Sequence, residues 1–215
     1  DDSGSMSGGG LSDAQDAAIN LIDSVGDNAQ IGVVGFDSQA RMEQPLTSTK
    51  QDARDAVNGL TANGRTNIEE AIDIAHEELD GHDVATTYTA SGNHRTDAQP
   101  IIVLLTDGTP NEGYESQGLT EPAHDDDNEP GDGPFWSDFD EDNPADNAEH
   151  LKDQIHDVTM YTVGFGGISS GSTEADLLTY MATGDAQSFI GAQDELFDIF
   201  SQIAQQIAGE KRFFQ

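Results

Sequence analysis

Cysteine does not occur in this chain. Its absence removes thiolate nucleophiles, disulfides and cysteine-held metals, although by itself it says little about compartment. Lysine and arginine are almost as scarce, eight against 42 aspartates and glutamates, for a formal charge of −34. The lysines are Lys50, Lys152 and Lys211, and basic residues nowhere gather into the patch that a nucleic-acid partner requires. No apolar run approaches the ~20 residues needed to cross a bilayer. None of these residues reads as a signal peptide. Also missing are a P-loop, a G-x-S-x-G nucleophile elbow and any H-x-x-x-H pair. The histidines are scattered, and His76 is expected on a solvated helix face.

What the chain has in excess is negative charge, spread over the expected helices and not collected in one tail. In dilute buffer such a surface repels itself and opposes compaction. At molar salt the Debye length is about 3 Å and the repulsion is mostly screened. Apolar residues still recur at regular spacing beneath the acids, which argues against disorder. The balance points to a halophilic source, an archaeon. At 215 residues the chain suits one α/β domain carrying long insertions. A globule of that size hides roughly 70% of the surface its unfolded chain exposes, so it needs no disulfide staples.

Strands and helices alternate along the chain. Ser12 or Asp13 is expected to cap a helix presenting Ala18, Leu21, Ile22 and Val25, which Gly26 and Asp27 stop. Ile31 to Phe36 (IGVVGF) reads as a strand covered on both faces, with Gln39 to Leu46 returning antiparallel beside it. Helices follow at Thr49 to Leu60 and from Ile68 through Leu79. Residues 81–98 read as loop, and Ile101 to Leu105 (IIVLL) as a central strand. After an acidic stretch at about 111–143 come a helix at Ala145 to His156, a strand at Val158 to Phe165 and a helix at Glu174 to Ala182. A short strand at Ser188 to Ile190 and a final helix bearing Leu196, Ile199, Phe200, Ile203 and Ile207 complete the order. The pattern implies an open, mostly parallel, doubly wound (Rossmann-like) sheet with helices on both faces and one antiparallel edge strand. Such sheets place ligands at the carboxyl ends of their strands.

Three segments at those ends offer small hard-oxygen groups: Asp1-x-Ser3-x-Ser5, Gly64-Arg65-Thr66 and Thr106-Asp107-Gly108. Carboxylate, hydroxyl and water suit Mg²⁺, Mn²⁺ or Ca²⁺ and offer nothing soft to Zn²⁺ or Cu²⁺. Gly4 allows close backbone approach. The chain resembles a von Willebrand factor A domain, the fold also found in integrin inserted domains. The resemblance is carried by DDSGSM at 1–6, GRTNI at 64–68, IIVLLTDG at 101–108 and YTVGFG at 161–166. LLTYMA at 177–182 and DELFDIFSQIA at 194–204 extend it.

The resemblance implies one domain over residues 1–209, with the acidic insertion at about 111–143, and residues 210–215 leading beyond it. It also implies a metal-ion-dependent adhesion site. Asp1, Ser3 and Ser5 would hold a divalent cation directly or through water, Mg²⁺ first and Mn²⁺ or Ca²⁺ as alternatives. Thr66 would join when ligand is bound, and Asp107 directly or through water. A partner's Asp or Glu would complete the coordination. Many relatives have Gly where Arg65 stands. In the family an apolar strand precedes the first Asp, whereas this chain begins at Asp1. The resemblance therefore leads to the expectation of a fragment, with a gap between IGVVGF and IIVLL and with Asp1 weakly anchored.

Asp138, Asp140, Asp142, Asp146 and Glu149 also fall at positions 1, 3, 5, 9 and 12 of a calcium-loop pattern. Asn143 takes the usual glycine's place, and chance matches are common in so acidic a stretch. Phe135 and Trp136 are expected to anchor the insertion on the domain. The functional expectation is a non-enzymatic, protein-binding adhesion module, extracellular or at the cell surface. The alternatives are a cytoplasmic subunit of a chelatase or AAA+ ATPase-type complex and, from another class, a metal-dependent phosphohydrolase.

Overall fold

The structure, a computed structural model, describes residues 1–81, 88–108, 110–111, 144–155 and 157–210. Phe135, Trp136, Asp138, Asp140 and Asp142 lie outside those residues, as do most of the acidic insertion and positions 211–215.

A 3-10 turn at Gly4–Gly9 leads into helix α1 (Gly10–Ser24). The helix starts ahead of the expected Ser12 or Asp13 cap, because Gly8 and Gly9 turn the chain through positive φ values of 84° and 122°. Only glycine takes such values without strain. Strands β1 (Ile31–Phe36) and β2 (Ala40–Thr47) form an antiparallel hairpin, followed by α2 (Lys50–Gly59) and α3 (Ile68–Asp80). Then come β3 (Ile101–Thr106), α4 (Pro144–Gln154), β4 (Thr159–Gly164), α5 (Thr173–Met181), β5 (Ser188–Ile190) and α6 (Leu196–Glu210). Strands β3, β4 and β5 are parallel, with Ile101 opposite Thr159 and Thr106 opposite Gly164.

Period-two alternation sends β4 into two cores. Met160 faces one built from Ile68, Ile72, Leu151, Leu177 and Met181 of α3, α4 and α5. Tyr161 and Val163 face the other, with Met6, Leu196, Phe200 and Ile203. The parallel sheet is thus covered on both faces, which explains the uninterrupted apolar reading of β4.

The open sheet is split where a gap between IGVVGF and IIVLL was expected. Among the described residues, β1-β2 and β3-β4-β5 are separate sheets, and no ladder joins β1 to β3. The first residues of the chain tie their carboxyl ends together: the Asp2 N–H donates to the Phe36 carbonyl (2.9 Å), and the Thr106 hydroxyl donates to Asp1 (2.6 Å). Asp1, expected to be weakly anchored, is therefore held.

Helix α3 departs most from expectation. It packs against the β1-β2 hairpin and against α4, so it is buried nearly all round. His76 is only 2% exposed, not solvated, and its ring lies 5.5 Å from that of His150. Buried acids are tolerable when they accept hydrogen bonds. Glu70 accepts from the Ala40 N–H (2.8 Å), Glu78 from the Leu46 N–H (2.7 Å), and Asp73 from the Asn147 amide (2.9 Å).

Candidate functional site

The carboxyl ends of β1 and β3 converge on the N-terminal loop, and four of the five candidate ligands join in one hydrogen-bonded chain. Asp1 Oδ1 accepts from the Ser3 N–H (2.8 Å), an Asx-type turn that sets the loop. Ser3 Oγ lies 2.9 Å from Ser5 Oγ, and Ser5 Oγ donates to Asp107 Oδ1 at 2.6 Å. With the Ser5 proton spent on Asp107, Ser3 is the donor between the two serines. Thr106 closes the circle through Asp1 Oδ2. Ser3 is buried and Ser5 exposed, so the group runs from the interior to the surface.

The loop bearing Thr66 meets this group through Gly64. The Gly4 N–H donates to the Gly64 carbonyl (3.1 Å), pressing two glycines together. A Cβ on Gly4 would stand 3.0 Å from that oxygen, and one on Gly64, whose φ is +67°, would stand 2.6 Å from Ser38 Oγ. Thr66 is 3% exposed, and its hydroxyl bonds to no described residue. Arg65 is exposed, and its backbone N–H donates to Ser38 Oγ (3.0 Å).

Asp2 supports the loop from beneath. It is 2% exposed and pairs with Arg41 of β2 at 2.6 Å, while the Asn63 N–H donates to its carbonyl (2.8 Å). Burial pushes the Asp2 carboxyl above its usual pKa, and the Arg41 charge opposes that rise. Arg41 also contacts Asp37 and Glu43, each at 3.1 Å. These groups line a polar cleft of about 330 Å³ beside the loop, which Thr61 and Asn63 also line.

Neither Asp1 nor Asp107 has a Lys or Arg partner among the described residues. The described residues also hold no metal cluster of three or more His, Asp or Glu side chains. The convergent set is of a different kind, two carboxylates without a Lys or Arg partner and with hydroxyls between them. Its donors are hard oxygens, a set that fits Mg²⁺, Mn²⁺ or Ca²⁺. Of the second calcium pattern, only Asp146 and Glu149 fall among the described residues. Glu149 lies on α4 and accepts from the Tyr180 hydroxyl (2.7 Å), and Asp146 shares that helix. Sequence reading placed Thr106 in a hard-oxygen segment without a part of its own, and assigned no role to Asn111, Asp2 or Arg41. Thr106 had a signal, as a hydroxyl ending an apolar strand. The Asp2–Arg41 pair had none, because no local pattern links residues so far apart in the chain.

The sequence profile of the von Willebrand factor type A domain matches residues 1–109, just over half of the chain. The chain belongs to the von Willebrand factor A domain family. Inter-alpha-trypsin inhibitor heavy chain H4 of Bos taurus is 29% identical over 118 residues, 53% of this chain. The match spans only 12% of that curated relative's length, and the same holds for the human protein. Among solved structures, the vWF domain of the type V pili tip protein Mfa5 from Porphyromonas gingivalis gives a TM-score of 0.69. It is 16% identical and covers 96% of this chain and 92% of its own. The pilus adhesin SpaC from Lactobacillus rhamnosus GG gives 0.65 at 13% identity, covering 95% of this chain and 29% of its own. At such identities these structures speak for the von Willebrand factor A fold alone.

Proposed function

We propose that this von Willebrand factor A domain is a non-enzymatic binding module that holds one divalent cation, Mg²⁺ first, at Asp1, Ser3, Ser5, Thr66 and Asp107. The cation coordinates an Asp or Glu of a partner protein. The observation that carries the reading is the hydrogen-bonded chain Asp1–Ser3–Ser5–Asp107, which draws oxygen donors together across a sequence separation of 102 residues. Two carboxylates leave a divalent ion little residual charge of its own, but hydroxyl and water ligands donate weakly and keep it electrophilic. When bound, the ion supplies the positive potential that lets so acidic a surface accept an acidic ligand. The residues of the chain orient the donors and, through Thr66, reach the ion's ligand side.

The proposed setting is the cell surface or outside the cell, carried over from a pilus tip protein and a pilus adhesin that share the fold. No described helix is long and apolar enough to cross a membrane. The acid excess supports a halophilic source. The test is titration of Mg²⁺, Mn²⁺ and Ca²⁺ by calorimetry in molar KCl. Wild type should bind one ion, and Asp1→Ala and Asp107→Ala should each lose at least tenfold in affinity, about 1.4 kcal/mol. Equal binding by all three proteins would remove the site.

A further inference from the structure

We infer that Asn111 is a positioning residue that clamps Thr66 for the cation and ties its loop to the one bearing Asp107. The inference rests on the cation reading above. Asn111 grips a single residue from both sides. Its Oδ1 accepts from the Thr66 N–H at 3.0 Å, and its own N–H donates to the Thr66 carbonyl at 3.0 Å. Among the described residues no other group bonds the Thr66 backbone. Neighbouring pins act two residues before it, Gly64 through Gly4 (3.1 Å), and one residue after it, Asn67 through the Asp37 carbonyl (2.8 Å).

The partners are 45 residues apart in sequence, so helix or turn geometry does not dictate the contact. Asn111 is exposed, and the core does not need it there. The Arg65 guanidinium reaches the Asn111 carbonyl only at 3.5 Å, the outer limit of a hydrogen bond. With its backbone committed and the residue 3% exposed, Thr66 is left with a hydroxyl that bonds no described residue. That is the state of a ligand fixed before its ion arrives. Asn111 stands four residues after Asp107 in sequence, so the clamp ties Thr66 to the stretch of chain that follows the Asp107 donor. Groups that orient metal ligands from outside the coordination sphere commonly matter by 10–100-fold in affinity.

The test compares wild type with Asn111→Ala and Asn111→Asp, the second of which keeps both the Oδ acceptor and the N–H. Three quantities are read in molar KCl: Mn²⁺ affinity by calorimetry, the thermal midpoint in EDTA, and hydrogen exchange of the Thr66 amide without cation. Asn111→Ala should weaken Mn²⁺ by roughly 10–100-fold, speed Thr66 exchange and leave the EDTA midpoint unchanged. Asn111→Asp should restore slow exchange together with affinity, which separates a rebuilt clamp from the effect of an added charge. Affinity lost only in step with the midpoint would make Asn111 a structural brace and overturn the assignment. So would an Asp variant that fails to slow exchange. If wild type binds no Mn²⁺ while Asn111→Ala still frees the Thr66 amide, the cation reading falls and the clamp stands without its purpose. Unchanged exchange and equal Mn²⁺ binding would sink the clamp and spare the cation reading.

Discussion

At the scale of single residues, the Asp2–Arg41 pair shows how the candidate site is held from behind. Asp2 is nearly inaccessible and one of its oxygens has no hydrogen-bond partner, so its charge depends on Arg41. Truncating one member of a fully buried pair costs 3–5 kcal/mol, while exposed pairs are worth about 0–1; with Arg41 38% exposed, Arg41→Ala should destabilise by about 2 kcal/mol. Asp2→Asn in the Arg41→Ala background should recover part of that loss, since the stranded carboxylate is then gone. A thermodynamic cycle of the four proteins, by chemical denaturation, measures the coupling. Strict additivity would mean that the pair holds nothing. The site's two kinds of residue also differed in how readable they were. Asp1, Ser3, Ser5 and Asp107 announce themselves through motif spacing. Asp2, Arg41 and Asn111 act through tertiary contacts that leave no local periodicity.

At the scale of elements, helix α3 is where charge and burial meet. Its apolar face was legible from Ile68, Ala71, Ile72, Ala75 and Leu79, and the hairpin, the parallel strands and the later helices were legible from apolar runs. The burial of its acidic face was not. Composition assigns an acid to solvent unless a partner is known, and these partners include backbone N–H groups of β2, the Asn147 amide of α4 and a polar segment at 88–91. Glu78 is the clearest case, accepting from the Tyr88 hydroxyl (2.6 Å), the Ser91 N–H (2.8 Å) and the Leu46 N–H (2.7 Å). Burial alone would raise its pKa, but the bonds from Ser91, Tyr88 and Leu46 outweigh it and hold the carboxyl below its usual value. A carboxyl ionised more readily when folded stabilises the fold above the ordinary carboxylate range. That contribution is lost as pH falls through the lowered value. Glu78→Gln should therefore cost stability at neutral pH and flatten the acid limb of the stability curve. Parallel curves for wild type and variant, followed by thermal unfolding from neutral to acid pH, would exclude this role.

At the scale of the whole molecule, the charge of −34 sets the conditions under which the fold is stable. Raising ionic strength from 0.1 to 1 M shortens the screening length from about 10 to about 3 Å. The unfolding midpoint should rise steadily across that range, in KCl and NaCl alike. A flat or falling midpoint would contradict a halophilic origin. The split between the hairpin and the parallel sheet gives the N-terminal loop a further importance. Ser5 meets Asp107 across 102 residues, and Thr106 meets Asp1 across 105. Contacts of such separation carry the largest loop-closure entropy and form late in folding. The proposed ion, held among them, would act as a removable rivet, absent from the early transition state and added only once these contacts have formed. Saturating Mn²⁺ should leave the refolding rate nearly unchanged and slow unfolding, by up to about 100-fold at a hundred times Kd. In stopped-flow traces the ion would then lengthen the lifetime of the native state without hastening its arrival, setting how long a loaded domain resists being pulled apart.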